Sequence, residues 1–175
     1  MQTTTITGGD LPGLKALAER IHGADRNVLV GVPADAKPED DGTSMALVAA
    51  TNEFGSEDGK IPERAFMRTG IARGRHKFER LNRISLTKIV QGTETVEHGL
   101  GLLGEMAKGE MQRAIKDSKS LFKPNAPSTI ARKSKGTPGT KGFKLSDQPL
   151  KDTGNLEQSL TWILEGKQSA KAEII

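Results

Sequence analysis

The two longest periodic segments of this chain, residues 61–90 and 94–116, are separated only by Gly92-Thr93, and that pair of helical patterns constrains the fold more than anything else. In the second segment Val96, Leu100, Leu103, Ala107, Met111, Ala114 and Ile115 make one apolar stripe. The first opens behind Ile61-Pro62, where proline suits an initial helical turn because its missing N–H has no partner there anyway. Its expected buried positions are Ala65, Phe66, Phe78, Leu81, Ile84 and Ile89, with Gly70 or Gly74 as a candidate break. Gly99, Gly101, Gly104 and Gly109 in the second segment each cost about 1 kcal/mol relative to alanine. Two readings are open: another helix approaches closely there, or the helix is marginal and frays or kinks.

Shorter elements surround this pair. Leu14, Leu17, Ala18 and Ile21 give residues 11–21 a helical face, with Asp10 as N-cap, Pro12 in the first turn and Gly23 as the stop. Residues 27–33 read as a strand with Val28, Val30 and Val32 on one face. Residues 34–43 form an exposed acidic loop. A short helix over 44–51 closes at Asn52-Glu-Phe-Gly, where Gly55 takes the left-handed C-cap conformation. Residues 118–150 are rich in Lys, Ser, Pro, Gly and Thr, and such a length without periodicity predicts an extended or flexible basic arm, with one helical turn at 128–133 behind Pro127. Asp152 or Thr153 caps a following helix. Leu160, Trp162 and Leu164 then alternate as a strand, residues 166–167 turn, and 170–175 return as its antiparallel partner. The expected class is α+β in one domain spanning 1–175: a small antiparallel sheet packed against long helices, with an extended basic loop.

Only 34% of residues are apolar and 3% aromatic, so part of the order is expected from helices packed along their length and from neighbouring subunits. With no cysteine, disulfides and thiolate sites are excluded. The N-terminus has no basic region leading into an apolar run and no window approaches membrane-spanning length, so the expectation is a bacterial cytoplasmic origin with no membrane partner. His22, His76 and His98 are dispersed, and Glu39-Asp40-Asp41-Gly42 lacks the alternating ligands of a calcium loop. The stretch 136–141 lacks the Gly-Lys-Ser/Thr of a phosphate loop, and no Gly-x-Ser-x-Gly elbow occurs. The residues therefore predict neither an enzyme nor a metal or cofactor site.

Charge supplies the remaining signal. The formal charge of +4 conceals segregation: residues 35–63 carry Asp35, Glu39, Asp40, Asp41, Glu53, Glu57, Asp58 and Glu63 against Lys37 and Lys60. Residues 64–88 carry Arg64, Arg68, Arg73, Arg75, Lys77, Arg80, Arg83 and Lys88 against Glu79, and residues 119–151 are basic again. A solvated face, a nucleic-acid contact through Arg73, Arg75, Lys77, Arg80 and Arg83, and a head-to-tail contact between copies are all compatible with that pattern. The scarcity of interleaved aromatics argues against single-strand stacking.

Three phrases go further. Asn52-Glu-Phe-Gly-Ser-Glu-Asp-Gly-Lys-Ile-Pro-Glu-Arg-Ala-Phe-Met-Arg68, Pro124-Asn-Ala-Pro-Ser-Thr-Ile-Ala-Arg-Lys133 and Leu150-Lys-Asp-Thr-Gly-Asn-Leu-Glu-Gln-Ser-Leu-Thr-Trp162 resemble the tail-completion, or head-tail joining, proteins of tailed bacteriophages, including the virion morphogenesis proteins of Mu-like phages. The resemblance implies a non-enzymatic homo-oligomer, commonly a six-membered ring, in the virion neck. It would join connector or head-closure proteins to tail-tube or terminator proteins and leave a DNA channel. By the same resemblance Phe54, Ile61, Pro62, Arg64, Phe66, Met67 and Arg68 form a packing and docking element. Pro124, Asn125, Pro127, Arg132 and Lys133 would lie on an arm reaching a neighbour, and the segment from Asp152 to Trp162 would lock the sheet edge. The chain departs from the family in interposing residues 136–148 between the second and third phrases. A nucleic-acid-binding module that uses 64–88 and 119–151 is the competing class, and within the structural class a tail terminator competes with a connector-side adaptor.

Overall fold

The computed structural model describes residues 12–21, 26–134 and 147–165. In chain order the elements are α1 (Pro12–Ile21), β1 (Asn27–Gly31), α2 (Met45–Phe54), α3 (Phe66–Gln91), α4 (Val96–Lys116), α5 (Ser118–Leu121), α6 (Pro127–Ser134), α7 (Asn155–Ser159) and β2 (Thr161–Glu165). The protein is mostly helical with a two-stranded antiparallel sheet, an α+β fold.

Helices α3 and α4 form an antiparallel hairpin. Gly70 lies against Met111, Lys77 against Glu110 and Ser85 against Gly99, so the contacting numbers run in opposite senses. The turn is made by Gly92, whose φ of 76° and ψ of 18° are the left-handed cap that a side chain would strain. Thr95 then caps α4 by accepting from the His98 N–H. The predicted α4 stripe is the buried one: Val96, Ala107, Met111, Ala114 and Ile115 are buried, and Leu100 and Leu103 partly so.

Close approach occurs on both helices: on α4, as one of the two open readings has it, a Cβ on Gly99 would stand 3.1 Å from the Ser85 Cβ of α3, and the tightest backbone contact is made from α3. A Cβ on Gly70 of α3 would stand 2.7 Å from the Met111 Cα, so the missing side chain lets the two backbones touch. On α4, Gly101 and Gly104 face not a helix but Trp162 of β2, and around Gly109 there is open space. The expected break at Gly70 or Gly74 is absent, because both glycines are buried inside a continuous α3.

Several boundaries are corrected by tertiary bonds. Helix α3 begins at Phe66, so Pro62 is not in its first turn. Residues 55–64 instead form a loop held by Ser56 N to Ile61 O (2.9 Å), Ile61 N to Ser56 Oγ (2.8 Å) and Arg64 N to Asn52 O (2.7 Å). Gly55 has φ 81° but ψ 173°, an extended turn and not a left-handed cap. Its hydrogen is required because a Cβ would meet Glu63 N and Ile61 O at 3.0 and 3.1 Å. Ile84, expected inside, is 43% exposed, and Leu14 and Ile21 of α1 are exposed as well.

Strand β2 pairs with β1 in the register Asn27↔Glu165 to Gly31↔Thr161, with Val30 opposite Trp162. The return strand expected at 170–175, the turn at 166–167, Asp10 and Gly23 lie outside the described residues. Val32, Met45, Ala49, Phe66, Met67, Met111, Ala114, Ile115, Leu156 and Leu160 form the core. It sits where α2, the start of α3, the end of α4 and α7 meet.

Candidate interaction surface

The three phrases that carry the resemblance are far apart in sequence, yet they line one groove of about 780 Å³. Asn52, Ile61, Pro62 and Arg64 come from the first phrase, Pro124, Asn125 and Thr129 from the second, and Leu150, Asp152, Thr153 and Leu156 from the third. The acidic loop adds Glu39, Asp40 and Asp41.

Arg64 is the node that joins them. It is 6% exposed and has no carboxylate partner among the described residues; its guanidinium donates to Lys123 O (3.1 Å), Pro124 O (3.3 Å) and Asn125 Oδ1 (3.3 Å). Burial pushes the guanidinium below its ordinary pKa. Buried Asn125 relays the tie by donating to Asp147 O and Gln148 O at 3.3 and 3.2 Å. Gln148 donates to Lys116 O (2.6 Å), and the Ser118 hydroxyl donates to the carbonyl of fully buried Pro149 (2.6 Å). Both described flanks of the 118–150 stretch are thus anchored on the domain, and α5 and α6 lie within it. Residues 135–146 fall outside the described ones. Past this anchor Leu150 adopts φ 61°, a left-handed conformation uncommon for a bulky residue. The N-cap of α7 is Gly154, in the left-handed conformation and without a side-chain cap bond, and not the expected Asp152 or Thr153; the Thr153 hydroxyl accepts from Asn155 N (3.2 Å) in the preceding turn, and Glu39 accepts from both Thr153 and Asn155.

Beside this node Glu53 does what the N-cap of α3 cannot. Ala65 has no side-chain acceptor, and the Glu53 carboxylate, with its side chain 4% exposed, takes its place by accepting from Met67 N (2.9 Å) and Arg68 N (3.1 Å). A carboxylate at a helix N-terminus satisfies orphan donors and complements the positive end of the dipole. Arg68 closes the cluster, bonding Glu53 (2.9 Å) and Glu63 (2.7 Å) while its guanidinium stands 5.3 Å from the Phe54 ring centroid. The hydrogen bond to Glu53 raises the Arg68 pKa further.

The named residues therefore divide. Phe66, Met67, Arg64 and Asn125 are interior to this chain; Phe54 is 65% and Ile61 40% exposed, and Pro124, Pro127, Arg68 and Asp152 are also exposed. Arg132 and Lys133 are in α6, and their side chains lie outside the described residues. Trp162 lies across α4 at Gly104 and donates to Glu105 Oε1 (2.7 Å).

The cations of α3 divide in the same way. Arg73 pairs with Asp117 (2.9 Å), and Lys77 pairs with Glu110 (2.7 Å), which Arg113 also holds. Arg75, Arg80 and Arg83 are exposed and make no ion pair among the described residues. Arg75 edges a second depression of about 510 Å³ formed by Met67, Ile71, Ala72, Phe78 and Leu103. Sequence reasoning missed this depression, the capping role of Glu53 and the Glu105–Trp162 bond. None carries a local signal, since each depends on which elements are brought together.

Comparison with protein-family models, with curated proteins and with solved structures gives no match for this chain. No described helix is long and apolar enough to cross a membrane.

Proposed function

We propose that the chain is a structural virion protein of a tailed phage, assembling as a ring at the head-tail junction that joins connector to tail tube and leaves a passage for DNA. It would be made in the host bacterial cytoplasm and end in the neck of the particle. The observation that carries the reading is the convergence of the three resembling phrases on one groove, tied by Arg64 and Asn125. A groove lined by separate phrases offers a partner one composite surface. Ile61, 40% exposed in its lining, suits the apolar part of such a contact. Against a stand-alone nucleic-acid-binding module, Arg73 and Lys77 are already engaged by acids of this same chain.

A nonsense mutation in the phage gene, examined by electron microscopy of lysates, tests the proposal. Filled heads and free tails that fail to join, with joining restored by the supplied protein, are the expected result. Joined, infectious particles formed without the chain would overturn it.

A further inference from the structure

Arg64 is a buried charge that meets no countercharge among the described residues. Its guanidinium is held only by neutral acceptors: Nε donates to Lys123 O, and Nη2 donates to Pro124 O and Asn125 Oδ1. Nη1 makes no bond among the described residues, yet it is not sealed from solvent, and Arg64 lines the groove. The buried carboxylates are treated differently, since Glu53 is met by Arg68 and Glu110 by Lys77 and Arg113. Taking a charge out of water is costly unless a countercharge and hydrogen bonds replace its hydration.

Further donors follow the atoms that Arg64 bonds. Lys123 is exposed and forms no ion pair among the described residues. Four residues on, Pro127 opens α6, and the first N–H groups of a helix have no acceptor within it. Ser128 N and Thr129 N make no backbone bond among the described residues, and Thr129 lines the groove. A guanidinium nitrogen, an ammonium and a helix N-terminus together suit a carboxylate.

The rest of the lining selects the form that this carboxylate takes. Glu39, Asp40, Asp41 and Asp152 share the groove, and Glu39 is tied to the start of α7 through Asn155. A nucleic-acid backbone, charged at every phosphate, would run from the cations into these acids and be repelled. A single carboxylate flanked by apolar or basic residues escapes that penalty, and Ile61, Pro62 and Pro124 line the same groove.

We infer that the groove seats an acidic peptide segment of a partner protein, whose one aspartate or glutamate carboxylate bonds Arg64 Nη1 beside Lys123 and the first turn of α6. The inference rests on the docking role read from this groove above and names the chemistry of the contact.

The probes are capped heptapeptides with one glutamate and one lysine separated by one, two or three residues, titrated into the isotope-labelled full chain. Nuclear magnetic resonance should show the tightest of them shifting the Arg64 Nε–H and the Ser128 and Thr129 N–H signals. Its glutamine counterpart should bind roughly tenfold more weakly, the difference between a charge-assisted and a neutral hydrogen bond. Arg64 itself ties the fold together, so the exposed Lys123 is the residue to replace. Lys123→Glu should weaken the glutamate peptide by several-fold and leave the glutamine peptide and the circular dichroism unchanged. Equal affinity of the two peptides, indifference to Lys123→Glu, or no shift of these signals up to about 5 mM peptide overturns the inference. So does a duplex oligonucleotide that shifts the same signals more tightly than any peptide, which would assign the arginine to phosphate. Unjoined heads and tails from the nonsense mutant with no peptide bound would sink the seat alone; a bound glutamate peptide with joined particles would sink the neck role alone.

Discussion

At the scale of single residues, stability depends on polar groups that serve a neighbour's backbone. Glu53 lies within α2 but caps the start of α3, so replacing it removes a cap from N–H groups 14 and 15 residues down the chain. Glu53→Gln keeps the shape but loses the charge opposite two backbone N–H groups and Arg68, and is expected to cost about 1–3 kcal/mol. Urea unfolding with an unchanged m-value reads that loss. Glu57→Gln, at an exposed residue without an ion pair, should stay within about 0.5 kcal/mol under the same conditions. If the two variants unfold alike, the capping role is wrong. Phe66 and Ile89 were legible as interior residues from apolar spacing alone, while Ile84 was not, because the same spacing fits either side of a helix that is packed along a narrow face.

At the scale of elements, glycine has opposite meanings at two positions in one hairpin. Gly70→Ala inserts a methyl group against the Met111 backbone, which cannot swing aside, and should destabilise by about 1–3 kcal/mol or more. Gly109→Ala meets nothing within 4 Å and should stabilise by about 0.5–1 kcal/mol through helix propensity. Opposite shifts in Tm are therefore expected, and shifts of the same sign would contradict the packing described. The glycine content of α4 announced an unusual helix, but its cause was split among the indole of Trp162, Ser85 of α3 and open solvent. No local pattern distinguishes those three, since each is fixed by an element remote in sequence.

At the scale of the molecule, exposed ion pairs set a pH response. Lys60 and Ser56 hold the Asp58 carboxyl below its ordinary value, Lys108 and Trp162 do so for Glu105, and Lys119 for Asp147. Each of these carboxyls binds protons less readily folded than unfolded. Their contribution is therefore fully present above the ordinary carboxylate values of 4.5 and 3.8 and is lost as pH falls through and below them. Tm should be flat from pH 7 to about 5 and fall below that. All three groups are solvent-screened, so high salt at neutral pH should move Tm little. A Tm that rises on acidification would contradict the assignment.

Sequence by itself determined the α+β class, the two long helices, the Gly92 turn, the buried stripe of α4 and the strand at Trp162. All of these follow from periodicity and backbone preference, which act over a few residues. Tertiary structure alone decided where α3 starts, which strand pairs with β2, which glycine admits a backbone and which cations remain unpaired. Those outcomes depend on contacts between groups as far apart as Asn27 and Glu165, and the energy of such contacts is not written into the residues near either end.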